Sequence, residues 1–146
     1  MKALTLWQPW ASLVALGHKK VETRPWATRY RGVLAIHSAL KKPGFLGHSC
    51  DDPDFCEMLT ALKVDPLAFP LGCVLCTVNL VAIVPTGEVY DDLSYQEQVF
   101  GNYEEGRYAW FFEDIKPLPV PLSVKGNRLL WNLNDDLLTQ KTRSKQ

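Results

Sequence analysis

Gly17, Lys19, Glu22 and Arg24 fall at the spacing Gly-x-Lys-x-x-Glu-x-Arg inside the run Gly17-His18-Lys19-Lys20-Val21-Glu22-Thr23-Arg24. Lys19, Glu22 and Arg24 crowd charges of both signs into one short stretch, and Gly17 lets the backbone turn just before it. Three chemistries suit such a cluster. The cations can hold a phosphate, Lys as a point charge and Arg as a planar fork. The carboxylate can accept a hydrogen bond from an exocyclic amine of a base, as carboxylates do with cytosine N4. It can also activate water as a general base. The plain alternative is a solvated edge strand in which Glu22 pairs with its neighbours.

Lys19 could itself act as a base if burial and Arg24 lowered its pKa, but Glu22 opposes that shift. The phosphate reading needs no unusual pKa and is preferred. Trp7, Trp10, Trp26, Tyr30 and Trp131 cluster near the basic segments, and single strands are held by stacking bases on aromatic rings beside Arg and Lys. Trp10 belongs to a helical apolar stripe and reads as core. Trp131 alternates with Leu129 and Leu133 and reads as sharing their buried face. Trp7 and Trp26, at element ends beside polar residues, are the stacking candidates. Gln8 can read a base edge or serve as a helix cap. Cys73-x-x-Cys76 resembles half a zinc site, but strand alternation sends the two thiols to opposite faces, so no metal is expected. His37-Ser38, adjacent in a strand, makes no dyad, and His18 and His48 read as surface residues.

The elements that must position these residues are legible in outline. Lys2 to Trp7 reads as a first strand. Pro9 to Leu16 reads as a short helix, with Pro9 at its start and Gly17 as a left-handed C-terminal cap. Lys20 to Arg24 is a strand whose alternation puts Val21 toward the core and Glu22 with Arg24 toward a cleft or solvent. Val33 to His37 is a strand, and Asp52 caps a helix beginning at Pro53 with Phe55, Cys56, Met58, Leu59 and Leu62 on its apolar face. Gly72 to Val84 is a long apolar strand that bends. Asp92 to Phe100 reads as a helix, Gly101 to Gly106 as a loop, and Arg107 to Glu113 as a strand. Pro117, Pro119 and Pro121 read as an extended linker excluded from a central strand. Leu129 to Leu133 is the last strand, followed by a short helix fading into a basic tail. The expected organisation is one domain over residues 1–136 and a tail over 137–146.

At 146 residues, with 47% hydrophobic and 22% charged residues, the chain suits one ordinary globular core. No signal peptide or membrane-spanning stretch is expected, and the four cysteines read as thiols of an intracellular, cytoplasmic protein. The net charge is zero, but its distribution is uneven. Residues 1–44 hold eight Lys/Arg and one acid, 45–115 hold two and thirteen, and 116–146 hold six and two. If the chain ends meet in space, a basic face backs onto an acidic one, and such a face attracts polyanions even in a neutral molecule.

The chain resembles the ASCH family, named after the activating signal cointegrator and built on a fold similar to the PUA barrel. The resemblance rests on Leu6-Trp7-Gln8-Pro9-Trp10-Ala11-Ser12-Leu13, the Gly17 to Arg24 motif, Trp26, Arg31-Gly32, Val33 to His37 and Lys41-Lys42-Pro43. It continues through Gly72-Cys73-Val74-Leu75, Val124-Lys125-Gly126 and Leu130-Trp131. It implies an α+β fold, a PUA-like mixed β-barrel with short flanking helices. It also places Lys125, before a Gly that allows close backbone approach, near the cleft.

The function this implies is a nucleic-acid-binding module holding single-stranded RNA or a flipped nucleotide. Lys19, Arg24 and Lys125 would meet phosphate, Trp7 or Trp26 would stack, and Glu22 and Gln8 would read the base. The alternative is a hydrolase in the same cleft, acting through Lys19 and Glu22 on a small nucleoside or on RNA. Certain relatives are described as ribonucleases, and small bacterial relatives as N4-acylcytidine amidohydrolases. The latter carry Thr where Glu22 stands, so an enzyme here would need Glu22 to activate water. A third reading is a protein-interaction module, with Trp26 and the Pro-rich segment as its surface. No cofactor is implied.

Overall fold

The computed structural model describes residues 1–41 and 52–143, with side chains through residue 139. Lys42-Pro43, His48 and Cys50 lie outside the described residues. In chain order the elements are β1 (Lys2–Leu6), α1 (Trp10–Ala15), β2 (Val21–Arg24), β3 (Gly32–Ser38), α2 (Pro53–Ala61), β4 (Cys73–Pro85), α3 (Tyr95–Phe100), β5 (Tyr108–Ser123), β6 (Leu130–Asn132) and α4 (Asp135–Arg143). Short 3-10 turns occupy Pro66–Ala68, Thr86–Glu88 and Tyr90–Asp92.

One six-stranded sheet runs β2-β5-β4-β3-β1-β6. β1 and β3 are parallel, and the remaining pairs are antiparallel. The β4–β5 register slips at Val74/Cys76, Thr77/Asn79 and Leu80/Ala82. Such bulges bend a strand and increase its twist. The curl is deep enough that Arg24 on edge strand β2 donates from Nη2 to the carbonyl of Thr5 on β1 at 2.7 Å, although β5, β4 and β3 separate the two strands in the sheet. This is the half-barrel expected of an α+β PUA-like fold.

Strand alternation divides the core. Leu4, Leu34 and Ile36 join Trp110 and Phe112 on the inner face, against Ala11 and Val14 of α1. Ala3, Ala35 and Val74 face the other way, toward Leu122, Trp131 and Leu133. A third cluster of Leu13, Phe55, Leu59 and Phe100 binds α1, α2 and α3 together. Gly17 ends the α1 segment with φ +81°, the left-handed cap expected there. Asp52 caps α2 by accepting from the N–H groups of Asp54 and Phe55.

Several expectations are corrected. Pro117, Pro119 and Pro121 lie within β5, which sits between β2 and β4. The resolution is that β2 covers only Tyr108 to Phe111 of β5. Beyond that point the β5 flank away from β4 is an edge, where a missing N–H leaves no ladder bond unmade. The bulge at Val74/Cys76 also undoes the parity argument for Cys73 and Cys76, which are free buried thiols in the same core cluster. Cys56 is disulfide-bonded, so the four cysteines are not all thiols. Leu129 is 61% exposed with φ +57° and does not share the buried face of Trp131 and Leu133. Among the described residues no helix is long and apolar enough to cross a membrane.

Candidate functional site

β2 is an edge strand, and edges invite unwanted pairing unless their backbone groups are occupied. Lys20 accepts from Phe112, and Glu22 and Arg24 sit opposite Trp110 and Tyr108. The backbone groups of Val21 and Thr23 therefore point away from β5. Side chains take all four of them. The Val21 N–H donates to Glu97 Oε2 at 3.1 Å, and the Val21 carbonyl accepts from Lys19 Nζ at 2.5 Å. The Thr23 N–H donates to Glu22 Oε1 at 2.9 Å, and its carbonyl accepts from Arg107 Nη2 at 3.0 Å. Two of the four groups are capped by motif residues, which gives the motif a structural role in sealing the strand.

Lys19 does not reach solvent. It is fully buried, and its Nζ donates to the carbonyls of Val21 and Phe100, the latter at 3.2 Å. Desolvation lowers its pKa from the usual lysine value, Glu22 and Glu97 oppose the shift, and Arg24 adds to it. A side chain so placed contacts no phosphate, contrary to the sequence expectation for Lys19. Glu97 answers it from α3, bonding the N–H groups of Lys20 and Val21, while burial raises its pKa.

Beside β2 lies a cavity of about 520 Å3, within the range of small-ligand sites. Glu22, Thr23 and Arg24 form its β2 wall, Trp7 and Trp10 stand on another side, and Gly101, Asn102 and Arg107 close it from the loop after α3. Phe55 and Phe100 supply apolar surface, and Asp52 reaches it from the start of α2. Trp10 is fixed by its indole N–H, which donates to the Phe100 carbonyl at 2.9 Å. Trp7 is 55% exposed, and the Lys41 ammonium sits 4.0 Å from its ring centre.

The structure thus brings Trp7, Glu22 and Arg24 together and separates the other candidates. Gln8 is fully buried, its amide linked to Ser12 and to the Pro70 carbonyl, so it is a structural cap and reads no base. Trp26 packs edge-on against Trp110 at 4.8 Å, accepts its indole N–H at the backbone, and is absent from the cavity wall. Lys125 is exposed on the loop before β6 and does not line the cavity. Arg107, Asn102 and Glu97 were missed. They come from a segment whose charge balance is strongly acidic, and only the fold carries them to β2. No cluster of His, Cys, Asp and Glu among the described residues could hold a metal ion.

Next to Thr5, a second polar network ties β1, β3 and the late loop. The His37 ring meets the Val124 carbonyl at Nε2 (2.7 Å) and Thr5 Oγ1 at Nδ1 (3.1 Å), and Thr5 Oγ1 also accepts the Trp131 indole N–H at 3.0 Å. A carbonyl only accepts, so Nε2 carries the proton and Nδ1 accepts from the Thr5 hydroxyl. Burial lowers the His37 pKa, against the hydrogen bonds to Val124 and Gly72. A Cβ on Gly126 would stand 2.6 Å from His37 Cε1 and 2.7 Å from Thr5 Oγ1, which explains the glycine after Lys125.

An open half-barrel, a motif-sealed edge strand and a polar cavity alongside it define a PUA-like module of the ASCH class. The ASCH domain matches residues 4–121, and the chain belongs to that family. It is 29% identical over 138 residues to activating signal cointegrator 1 of Homo sapiens and 28% identical over 137 residues to that of Mus musculus. Each match covers 92% of this chain but 22% of the relative, so the chain spans under a quarter of the length of these proteins. The crystal structure of ASCH from Zymomonas mobilis superposes with a TM-score of 0.57 at 18% identity, covering 98% of this chain and 93% of that one. A single-residue variant of the same protein gives 0.55 over 99% and 94%. At that identity the likeness concerns the fold.

Proposed function

We propose that this domain binds single-stranded nucleic acid, RNA foremost, by taking one nucleotide into the cavity beside β2. One observation carries the reading. Arg24 lines the cavity with its guanidinium anchored to a backbone carbonyl, no carboxylate pairs with it among the described residues, and the exposed Trp7 lines the same cavity. An arginine held by a neutral carbonyl keeps its charge for a ligand, and an exposed indole offers a base a stacking surface. Glu22 uses Oε1 on the Thr23 N–H, leaving its second oxygen to accept from an amino group of the base. Lys41 beside Trp7 adds positive charge at the rim.

Fluorescence anisotropy with labelled single strands tests this. Binding should weaken steeply with salt and fall in Trp7→Ala, because an exposed tryptophan can be truncated without opening the core. If single strands fail to bind at low salt, the reading is wrong. Turnover of a bound nucleoside or RNA that Glu22→Gln abolishes would instead move the site to the hydrolase reading, with Glu22 as base and arginine rather than Lys19 stabilising the developing charge.

A further inference from the structure

Arg107 is the second cation of the cavity, and its placement parallels that of Arg24. Its Nε donates to the Asn102 carbonyl at 3.0 Å and its Nη2 to the Thr23 carbonyl at 3.0 Å. Arg24 pairs in register with Tyr108, the first residue of β5, and Arg107 precedes it in the loop, so the two arginines line the same cavity, Arg24 from β2 and Arg107 from the loop leading into β5. Neither joins an ion pair among the described residues, where the only two are Met1–Asp135 and Lys116–Asp114. The nearby carboxylates are engaged with backbone amides instead, Glu22 with Thr23 and Asp52 with the first turn of α2. The Nε of Arg24 is buried and has no acceptor. A buried donor without a partner is rare and costs stability.

We infer that Arg24 and Arg107 form a two-guanidinium clamp for a phosphomonoester, so that the cavity selects a phosphorylated nucleotide over the corresponding nucleoside. This rests on the nucleotide reading above and narrows it to a ligand class. Two fixed guanidinium groups match the charge of a phosphomonoester and offer more donors than a diester has free oxygens. Their anchoring to Thr5, Thr23 and Asn102 means that little side-chain freedom is lost on binding. Apolar surface from Trp7, Phe55 and Phe100 leaves room beside the clamp for a base. The phosphate belongs either to a free mononucleotide or to the end of a strand.

The test titrates the full chain with nucleoside 5′- and 3′-monophosphates, the matching nucleosides and inorganic phosphate, read by calorimetry. In parallel, labelled single strands ending in phosphate or in hydroxyl are read by anisotropy. The clamp predicts at least tenfold tighter binding of a monophosphate than of its nucleoside, and loss of that preference in Arg107→Gln. Arg107→Lys, which keeps the charge, should retain part of it. If the phosphate-ended strand also exceeds the hydroxyl-ended one tenfold, the source is a chain end. If only mononucleotides show the preference, it is the free nucleotide. Strands that bind equally with either end, together with nucleosides that match their monophosphates, would overturn the clamp and leave the nucleic-acid reading standing. Monophosphates that bind selectively while no strand binds would uphold the clamp and remove the polymer. Absence of binding by every ligand would overturn both.

Discussion

Lys19 and Phe100, 81 residues apart in sequence, are joined inside the protein by a hydrogen bond from Nζ to the carbonyl at the end of α3. The same nitrogen holds the Val21 carbonyl, so Lys19 fastens the loop that carries Asn102 and Arg107 to edge strand β2. Its contribution to the site is positional.

Lys19→Met should therefore destabilise the fold by roughly 1–3 kcal/mol, because the Val21 carbonyl loses its partner while the Phe100 carbonyl keeps the Trp10 indole. Urea unfolding measures the loss. Where the variant remains folded, the slope of log affinity against log salt should match that of the parent. A slope reduced by about one phosphate contact would return Lys19 to the ligand.

Trp7→Ala should weaken single-strand binding by about 1–3 kcal/mol, the range for losing one stacked base, with little change in the unfolding midpoint because the ring is 55% exposed. Trp26→Ala should do the reverse, since Trp26 packs on Trp110 away from the cavity. Paired binding and unfolding titrations of the two variants check both statements.

Stability should fall on acidification through His37. Burial holds its folded pKa below the ordinary value of 6.5, so protonation favours the unfolded chain. The contribution is fully present above about pH 6.5, is lost as pH drops through the interval down to the folded pKa, and then levels off. The difference in urea midpoint between pH 7.5 and 5.5 should be smaller in His37→Gln than in the parent. Equal differences would detach His37 from the effect.

Gly126→Ala should cost about 1–3 kcal/mol, because the new methyl would press on the His37 ring and the Thr5 hydroxyl, both held by hydrogen bonds. Thermal unfolding reads it directly, and an unchanged midpoint would show that the loop yields instead.

Much of the fold was legible because local chemistry and tertiary structure agree. Gly17 caps where a cap was expected, Asp52 accepts the first N–H groups of α2, and β4 bends within its apolar run. The Pro-rich part of β5 was misread because its tolerance depends on the shortness of β2, a tertiary fact. Cys73 and Cys76 were assigned to opposite faces because a bulge is invisible to strict alternation. In the site, type and spacing single out Glu22, Arg24 and Trp7, and the fold brings the three to one cavity. Lys19 looked like a surface cation because nothing local announces a carbonyl 81 residues away. Arg107 was missed for the same reason in reverse, since it stands in an acidic stretch of sequence and nothing local announces that the Thr23 carbonyl, 84 residues away, holds it at the cavity.

The most direct measurement is anisotropy of labelled single-stranded RNA, single-stranded DNA and duplex at two salt concentrations, with Arg24→Gln and Trp7→Ala alongside the parent. Cavity binding predicts salt-sensitive affinity for single strands over duplex, a shallower salt slope for Arg24→Gln, and weaker binding with an unchanged slope for Trp7→Ala. Affinity that is indifferent to salt, or that survives both substitutions, would contradict a nucleotide held between Arg24 and Trp7.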